Sequence, residues 1–125
     1  MSTRCSIIIK DHRNVRMVLY HHHDGGPSGV GDDLRSRTKA LLMAYYKPST
    51  VELVNALVKN DCGLNDDGYE IASEVHDDID YLYVVNLKTK SVRCFECPFP
   101  KRGFNLKELI KRSNLVEIPT LSRPY

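Results

Sequence analysis

The chain has 125 residues, of which 42% are hydrophobic and 27% are charged, and its formal net charge is +2. This length falls within the usual size of one domain and allows a real core, so we expect a single domain over residues 1–125. The composition excludes a disordered chain, and the sequence shows neither a membrane-spanning run nor the hydrophobic stretch of a signal peptide. These features favour a cytoplasmic protein without membrane contact.

Two β-branched runs open the chain, Cys5–Lys10 and residues 15–23, and the polar residues 11–14 separate them. Runs of this kind around a short polar turn predict an antiparallel hairpin. Residues 24–31 follow with four glycines and one proline among eight residues, so this segment is predicted to be a loop.

Two helices are predicted next. The first covers about residues 33–46, and Asp32 or Asp33 is its expected N-cap. The second starts with Ser49 and Glu52 at capping-box spacing. Its expected buried stripe consists of Val51, Leu53, Val54, Leu57 and Val58. Gly63 is its expected C-terminal cap.

Three further strands are predicted over residues 69–76, 80–87 and 91–97. The last two flank a short polar turn and predict a second hairpin. Apolar residues occupy both faces of the strand 80–87, so Tyr83 and Val85 are expected to be buried in the middle of a sheet.

A third, short helix is predicted after Asn105, because Glu108 follows it at capping-box spacing. The tail beyond this helix is predicted to be irregular. The element order ββααβββα predicts an α+β domain with a mostly antiparallel five-stranded sheet and helices packed on it.

The segment from residue 21 to residue 31 is the strongest candidate for a functional site. A glycine-rich loop that opens a helix brings backbone N–H groups and the positive end of a helix dipole together, which favours a small anionic or nucleotide-like ligand. The loop matches neither the phosphate-loop motif nor the dinucleotide-binding motif. A tight turn whose glycines supply positive φ is the alternative interpretation. The predicted ligand-binding residues are His21, His23, Asp24, Gly25, Gly26, Ser28, Gly29 and Gly31.

The histidines allow a second alternative, a metal-dependent enzyme. In an extended strand His21 and His23 share one face while His22 points away, so the first two with Asp24 would supply part of a metal site. His12 or His76 would complete it from elsewhere in the chain. The spacing matches no established zinc motif, and we assign no metal and no cofactor on this basis.

Cys94 and Cys97 have the spacing of redox and zinc motifs but lie in a predicted strand. Cysteines three residues apart in a strand point to opposite faces, so the sequence predicts that they are unlinked and serve packing.

Charge is unevenly distributed along the chain. Residues 61–80 contain eight acidic residues and no Lys or Arg, whereas residues 88–125 contain nine Lys or Arg and three acidic residues. Such a basic segment leaves nucleic-acid binding as a less favoured alternative.

Two blocks of the sequence resemble a family of small bacterial and phage proteins without an established activity. The first block is Met-Ser-Thr-Arg at residues 1–4, followed by Tyr20, the histidines and the glycine-rich motif of residues 24–31; the second is the acidic, then Tyr-x-Tyr, stretch of residues 78–85. Members of the family carry an aromatic residue where this chain has Gly26. The resemblance implies kinship and a phage or mobile-element setting, without a mechanism.

The leading hypothesis is therefore a binding module for a small anionic ligand at residues 21–31. A phage or mobile-element factor that contacts a host protein is the next alternative, and a homodimer stays open.

Overall fold

The computed structural model describes residues 3–59 and 68–118, which form six strands, three α-helices and one π-helical turn. The strands are β1 Cys5–Lys10, β2 Arg16–His21, β3 Tyr69–Ala72, β4 Tyr81–Asn86, β5 Ser91–Glu96 and β6 Asn114–Val116. The helices are α1 Asp32–Ala44, α2 Thr50–Lys59 and α3 Leu106–Arg112, and the π-helical turn Pro27–Gly31 leads into α1.

All six strands form one sheet in the order β3-β2-β1-β4-β5-β6. The central strands β1 and β4 are parallel, and every other neighbouring pair is antiparallel. The α+β class and the mostly antiparallel sheet are confirmed. The prediction of five strands is wrong, because the tail that was expected to be irregular contributes the three-residue strand β6.

Both predicted hairpins are present. In the first, Lys10 pairs with Arg16 at the turn, and in the second Tyr81 pairs with Glu96 at the open end. Tyr83 and Val85 are fully buried, as predicted for a strand in the middle of the sheet. The strand predicted over residues 69–76 is shorter, since β3 ends at Ala72.

The helices cover both faces of the sheet. Leu34 of α1 and Leu53 of α2 pack on Ile7 and Tyr83, and we call this side of the sheet the α1 face. Leu109 of α3 packs on the opposite side, the α3 face, whose buried strand residues are Ile8, Val18, Tyr20, Leu82 and Phe95. The alternation of side chains along each strand thus supplies both cores.

The start of α1 differs from the prediction. Helical geometry begins already at Pro27, and the residue before it, Gly26, has extended backbone angles. Proline suits this position because its fixed φ is helical and its missing N–H is not needed in a first turn. Asp32 and Asp33 therefore lie in the first turn of α1 rather than at an N-cap, so that prediction is wrong.

The start of α2 confirms the capping box. The Ser49 N–H donates to Oε1 of Glu52 at 3.0 Å, and the Glu52 N–H donates to the Ser49 hydroxyl at 3.2 Å. Asn105 likewise caps α3, because its side-chain oxygen accepts the Glu108 N–H at 2.9 Å.

The expected buried stripe of α2 is only partly correct. Leu53, Val54 and Leu57 are buried, whereas Val51 and Val58 are exposed by 53% and 37%. These two valines lie seven residues apart, which is about two helical turns, so they share a line on the side that faces away from the sheet. Gly63, the expected cap, lies outside the described residues. Among the described residues, every helix is too short or too polar to cross a membrane.

Candidate functional site

The predicted site lies at the end of the sheet where β1 and β4 begin and β2 ends, which we call the loop end. The Gly25 N–H donates to the Thr3 carbonyl at 2.9 Å, and the Gly25 carbonyl accepts the Tyr83 hydroxyl at 2.8 Å. These two bonds fasten the segment 24–31 onto β1 and β4. Gly31 is buried, and a Cβ there would lie 3.2 Å from the Tyr83 hydroxyl oxygen.

The glycines of this segment serve close packing. A Cβ on Gly25 would lie 2.9 Å from backbone atoms of Thr3 and Arg4, and a Cβ on Gly29 would lie 2.2 Å from the Asp24 carbonyl oxygen. In this segment it is Asp24, with φ of 53°, that has the left-handed conformation, and not a glycine. The interpretation of a turn whose glycines supply positive φ is therefore wrong.

Several backbone donors of the segment are engaged inside the protein. The N–H groups of Gly29 and Gly31 donate to the Gly26 carbonyl, and the Val30 N–H donates to the Asp24 carbonyl at 2.8 Å. A bound anion would reach these donors only after a rearrangement of the segment. Recognition of an anion at the loop end must therefore draw mainly on side chains.

His21 lies on the α1 face at the end of β2. Its Nδ1 is hydrogen-bonded to the His23 carbonyl. Because a carbonyl oxygen only accepts, Nδ1 carries the proton and Nε2 of the neutral ring holds the lone pair. The ring meets Tyr69 edge to face at 4.7 Å, and the Tyr69 hydroxyl donates to Asp33 at 2.6 Å. Burial, and then the hydrogen bond to Asp33, raises the pKa of Tyr69 far above its ordinary value.

His22 has the opposite tautomer. Its Nδ1 accepts a hydrogen bond from Nε of Arg4 at 3.3 Å and lies 3.0 Å from the Tyr20 hydroxyl oxygen. A guanidinium group only donates, so Nδ1 of His22 is unprotonated and Nε2 carries the proton. The Nε2–H group of His22 therefore stands as a donor beside the positive charge of Arg4.

Further aromatic and charged groups surround this pair. Tyr20 stacks on His76 with 4.0 Å between ring centroids, and the rings of His22 and His23 meet edge to face at 4.5 Å. Arg4 forms an ion pair with Asp78 at 3.5 Å. We call Arg4, Tyr20, His22, His23, His76 and Asp78 the histidine cluster.

A cavity of about 350 Å³ adjoins the cluster on the α3 face. His76 lines this cavity together with the cations Arg16 and Lys101, the carboxylates Glu74 and Asp77, and apolar side chains that include Phe104 and Leu109. Its volume is in the range of small-molecule sites, and its lining combines apolar side chains with a few charged ones. His76 therefore belongs both to the histidine cluster and to a cavity large enough for a ligand.

The structure brings only part of the predicted site together. His23 belongs to the histidine cluster, His21 faces the other side of the sheet, and Asp24 and Ser28 are exposed. The sequence prediction includes His76 only as a candidate metal ligand, and it does not place Arg4, Tyr20, His22 or Asp78 in the site. Strand alternation through the first hairpin was the available signal, because it places Tyr20 and His22 on the same face.

The metal alternative gains no support from the geometry. Within residues 3–59 and 68–118, no group of three or more His, Cys, Asp or Glu side chains is placed to hold a metal ion. Cys94 and Cys97 are unlinked, as predicted, and they pack on opposite faces of the sheet.

Comparison of the chain with protein-family models, with curated proteins and with solved structures gave no match. The functional argument therefore rests on the geometry of the site.

Proposed function

We propose that this domain binds a small anionic ligand, carrying a phosphate or a carboxylate group, at the histidine cluster and the adjoining cavity. The observation that carries the proposal is the hydrogen bond from Arg4 to Nδ1 of His22. It leaves the Nε2–H of His22 and the remaining guanidinium N–H groups as donors to an anion, with a positive charge beside them.

Stability alone does not account for this arrangement. The side chains of Arg4 and Asp78 are 37% and 54% exposed, and an ion pair at such a site contributes at most about 1 kcal/mol. The 3.5 Å separation also leaves the guanidinium free to exchange Asp78 for a ligand anion. Clusters of this kind, set beside a cavity, are typical of functional sites.

The blocks of sequence that resemble the bacterial and phage proteins support the same location. Arg4 belongs to the first block and Asp78 begins the second, and the ion pair between them joins the two blocks at the histidine cluster. We therefore propose that this binding site is common to the chain and to that family.

The test is a thermal-shift and calorimetric screen with inorganic phosphate, a nucleoside monophosphate, a sugar phosphate and citrate, with zinc as a separate arm for the metal alternative. A ligand at about a hundred times its Kd adds about 2.7 kcal/mol of stability, which raises the Tm of a domain of this size by several degrees. We expect at least one anion to do so.

Two variants locate the site. His22→Ala removes the Nε2–H donor, and Arg4→Lys keeps the charge but loses the Nε–H that holds His22, so both should abolish the shift. The matched control is Arg35→Lys, the same exchange at an ion pair on α1, which should keep it. A wild-type protein that no anion stabilises, or a shift that survives both cluster variants, would contradict the proposal.

A further inference from the structure

Three chain connections meet at the end of the sheet opposite the loop end, which we call the turn end. They are residues 11–15 between β1 and β2, residues 45–49 between α1 and α2, and residues 87–90 between β4 and β5. Asp11 accepts the Thr50 N–H at 2.8 Å, and the Leu87 N–H donates to the Lys10 carbonyl at 2.9 Å. These bonds hold the three connections beside one another.

The turn end is basic. Each connection contributes exposed cations, and together they are Arg13, Lys47, Lys88 and Lys90. The only carboxylate in the three connections is Asp11, which is 4% exposed and accepts backbone N–H groups. The ion pairs among the described residues all involve other cations. Four positive charges from distant parts of the chain thus face solvent without an ion-pair partner among the described residues.

Two exposed tyrosines stand among these charges. Tyr45 is 53% exposed and Tyr46 is 90% exposed, and the Lys47 ammonium lies 5.4 Å from the Tyr46 ring centroid. Burial of large aromatic rings is energetically favourable. The exposure of these two rings beside cations therefore indicates a contact surface.

A cavity of about 460 Å³ opens between the first two connections. His12, Arg13, Lys47 and Ser49 line it, together with Asp11 and Glu52, whose carboxylates accept backbone N–H groups. Nδ1 of His12 is buried and has no hydrogen-bond partner among the described residues. The cavity thus brings an imidazole beside the cations Arg13 and Lys47.

We propose that the turn end binds single-stranded nucleic acid. The four cations neutralise successive phosphates, and unpaired bases stack on Tyr46 and Tyr45. Exposed aromatic rings favour a single strand over a duplex, because a duplex keeps its bases stacked inside and offers no base face to the protein. This surface is distinct from the histidine cluster and from the basic C-terminal helix α3.

The binding test is fluorescence anisotropy with a labelled oligodeoxythymidylate of about 15 nucleotides, a length that covers one single-domain site. With four phosphate contacts, a plot of the logarithm of the association constant against the logarithm of the salt concentration should have a slope of about −3. The double variant Arg13→Ala/Lys47→Ala should weaken binding about tenfold and make the slope shallower by about 1.4.

The aromatic contribution has a different signature. Tyr46→Ala should weaken binding about tenfold with an unchanged salt slope. Tyr46→Phe should stay within about twofold of the wild type, because stacking needs the ring and not the hydroxyl group. All the substituted side chains are exposed, so circular dichroism should show an intact fold.

The matched control is Lys107→Ala/Lys111→Ala, which removes two exposed lysines from α3 and should change affinity by less than about twofold. Equal losses in the control and the turn-end variant would overturn the proposal. So would absence of oligonucleotide binding at low salt, or binding to phosphatidylserine-containing vesicles without binding to the oligonucleotide.

Discussion

At the scale of single residues, the carbonyl oxygen of Asp24 leaves no room for a side chain at position 29. A Cβ on Gly29 would lie 2.2 Å from that oxygen and 2.9 Å from the Asp24 Cβ. The Asp24 carbonyl is held in place, because it also accepts a hydrogen bond from the Val30 N–H at 2.8 Å. Gly26 is different, since a Cβ there would meet only the Tyr81 ring at 3.7 Å, an ordinary contact.

We therefore expect Gly29→Ala to lower the free energy of unfolding by about 3 kcal/mol, the cost of forcing a methyl group into a packed backbone. Gly26→Ala is the matched control, and its φ of −75° suits alanine, so it should change stability by less than about 0.5 kcal/mol. Urea unfolding of both variants gives the comparison. Equal stabilities would show that the segment yields readily at position 29.

Asp11 is the second residue on which local structure depends. Its carboxylate accepts the N–H groups of Arg13 at 2.8 Å, Val15 at 3.2 Å and Thr50 at 2.8 Å, so it fixes the turn of the first hairpin and the start of α2 together. Burial by itself would raise the pKa of Asp11, but the hydrogen bonds from Thr50, Arg13 and Val15 outweigh burial and lower it.

A carboxyl group whose pKa is lower in the folded than in the unfolded state stabilises the fold above the unfolded value of about 3.9, and that stabilisation is lost as the pH falls through the lowered folded pKa. Asp11→Asn should thus cost about 1 to 2 kcal/mol at neutral pH, and the difference from the wild type should shrink below about pH 4.

Urea unfolding between about pH 3 and pH 7 measures this dependence. Asp77→Asn is the control, because Asp77 and its partner Arg102 are 64% and 91% exposed and 3.8 Å apart, and it should alter stability by less than about 0.5 kcal/mol throughout. A constant difference between wild type and Asp11→Asn down to pH 3 would contradict the assignment.

At the scale of elements, strand β5 and its continuation keep two cysteines apart. Cys94 lies on the α1 face near Cys5, and Cys97 lies on the α3 face, where its sulfur is 3.1 Å from the Ser113 hydroxyl. Burial, countered in part by a hydrogen bond with Tyr83, raises the pKa of Cys94 to about 11. Burial also raises the pKa of Cys5 and of Cys97.

Since the thiolate is the reactive form, we expect none of these three thiols to react with a disulfide reagent within minutes at about pH 8 in the native protein. The measurement uses a Cys62→Ser background, because residue 62 lies outside the described part of the chain. All three thiols should react once guanidinium chloride unfolds the protein. A native thiol that reacts at a stoichiometric level would show that the face of the sheet on which it lies is open to solvent.

Elements with a strong local signal were predictable. Both hairpins follow from alternating apolar runs around polar turns, and the Ser49 and Asn105 caps follow from spacing alone. Strand β6 was missed because its three residues form no recognisable run and Leu115 is 56% exposed. The parallel pairing of β1 with β4 was also missed, since it depends on where the chain returns after β3.

The candidate site was less predictable than the fold for a physical reason. The glycine-rich motif drew attention to residues 24–31, yet glycine composition does not distinguish close packing inside the protein from contact with a ligand. Arg4 and Asp78 lie 74 positions apart, and only the sheet order brings them within 3.5 Å. Local pattern therefore indicated the loop end, where the histidine cluster lies, but not the side chains that form the cluster.

At the scale of the whole molecule, the sheet consists of two topologically similar halves. Each half has a hairpin, then a helical segment, then a third strand that pairs with the second strand of the hairpin. The halves meet through the parallel pair β1 and β4, and their helices cover opposite faces. Consequently each core contains residues of both halves, such as Ile7 with Tyr83 on one face and Ile8 with Leu82 on the other.

Because neither half has a core of its own, we predict that the two halves unfold together and not in separate steps. Tyrosine fluorescence and far-ultraviolet circular dichroism should give superimposable urea curves with one midpoint. Ile8→Ala, a fully buried deletion in the first half, should shift both curves by about 3 kcal/mol without changing the slope m. Met43→Ala, with a side chain 78% exposed, should leave both curves within about 0.5 kcal/mol of the wild type. Two separate transitions, or a smaller m in Ile8→Ala, would show instead that the second half folds independently of β1.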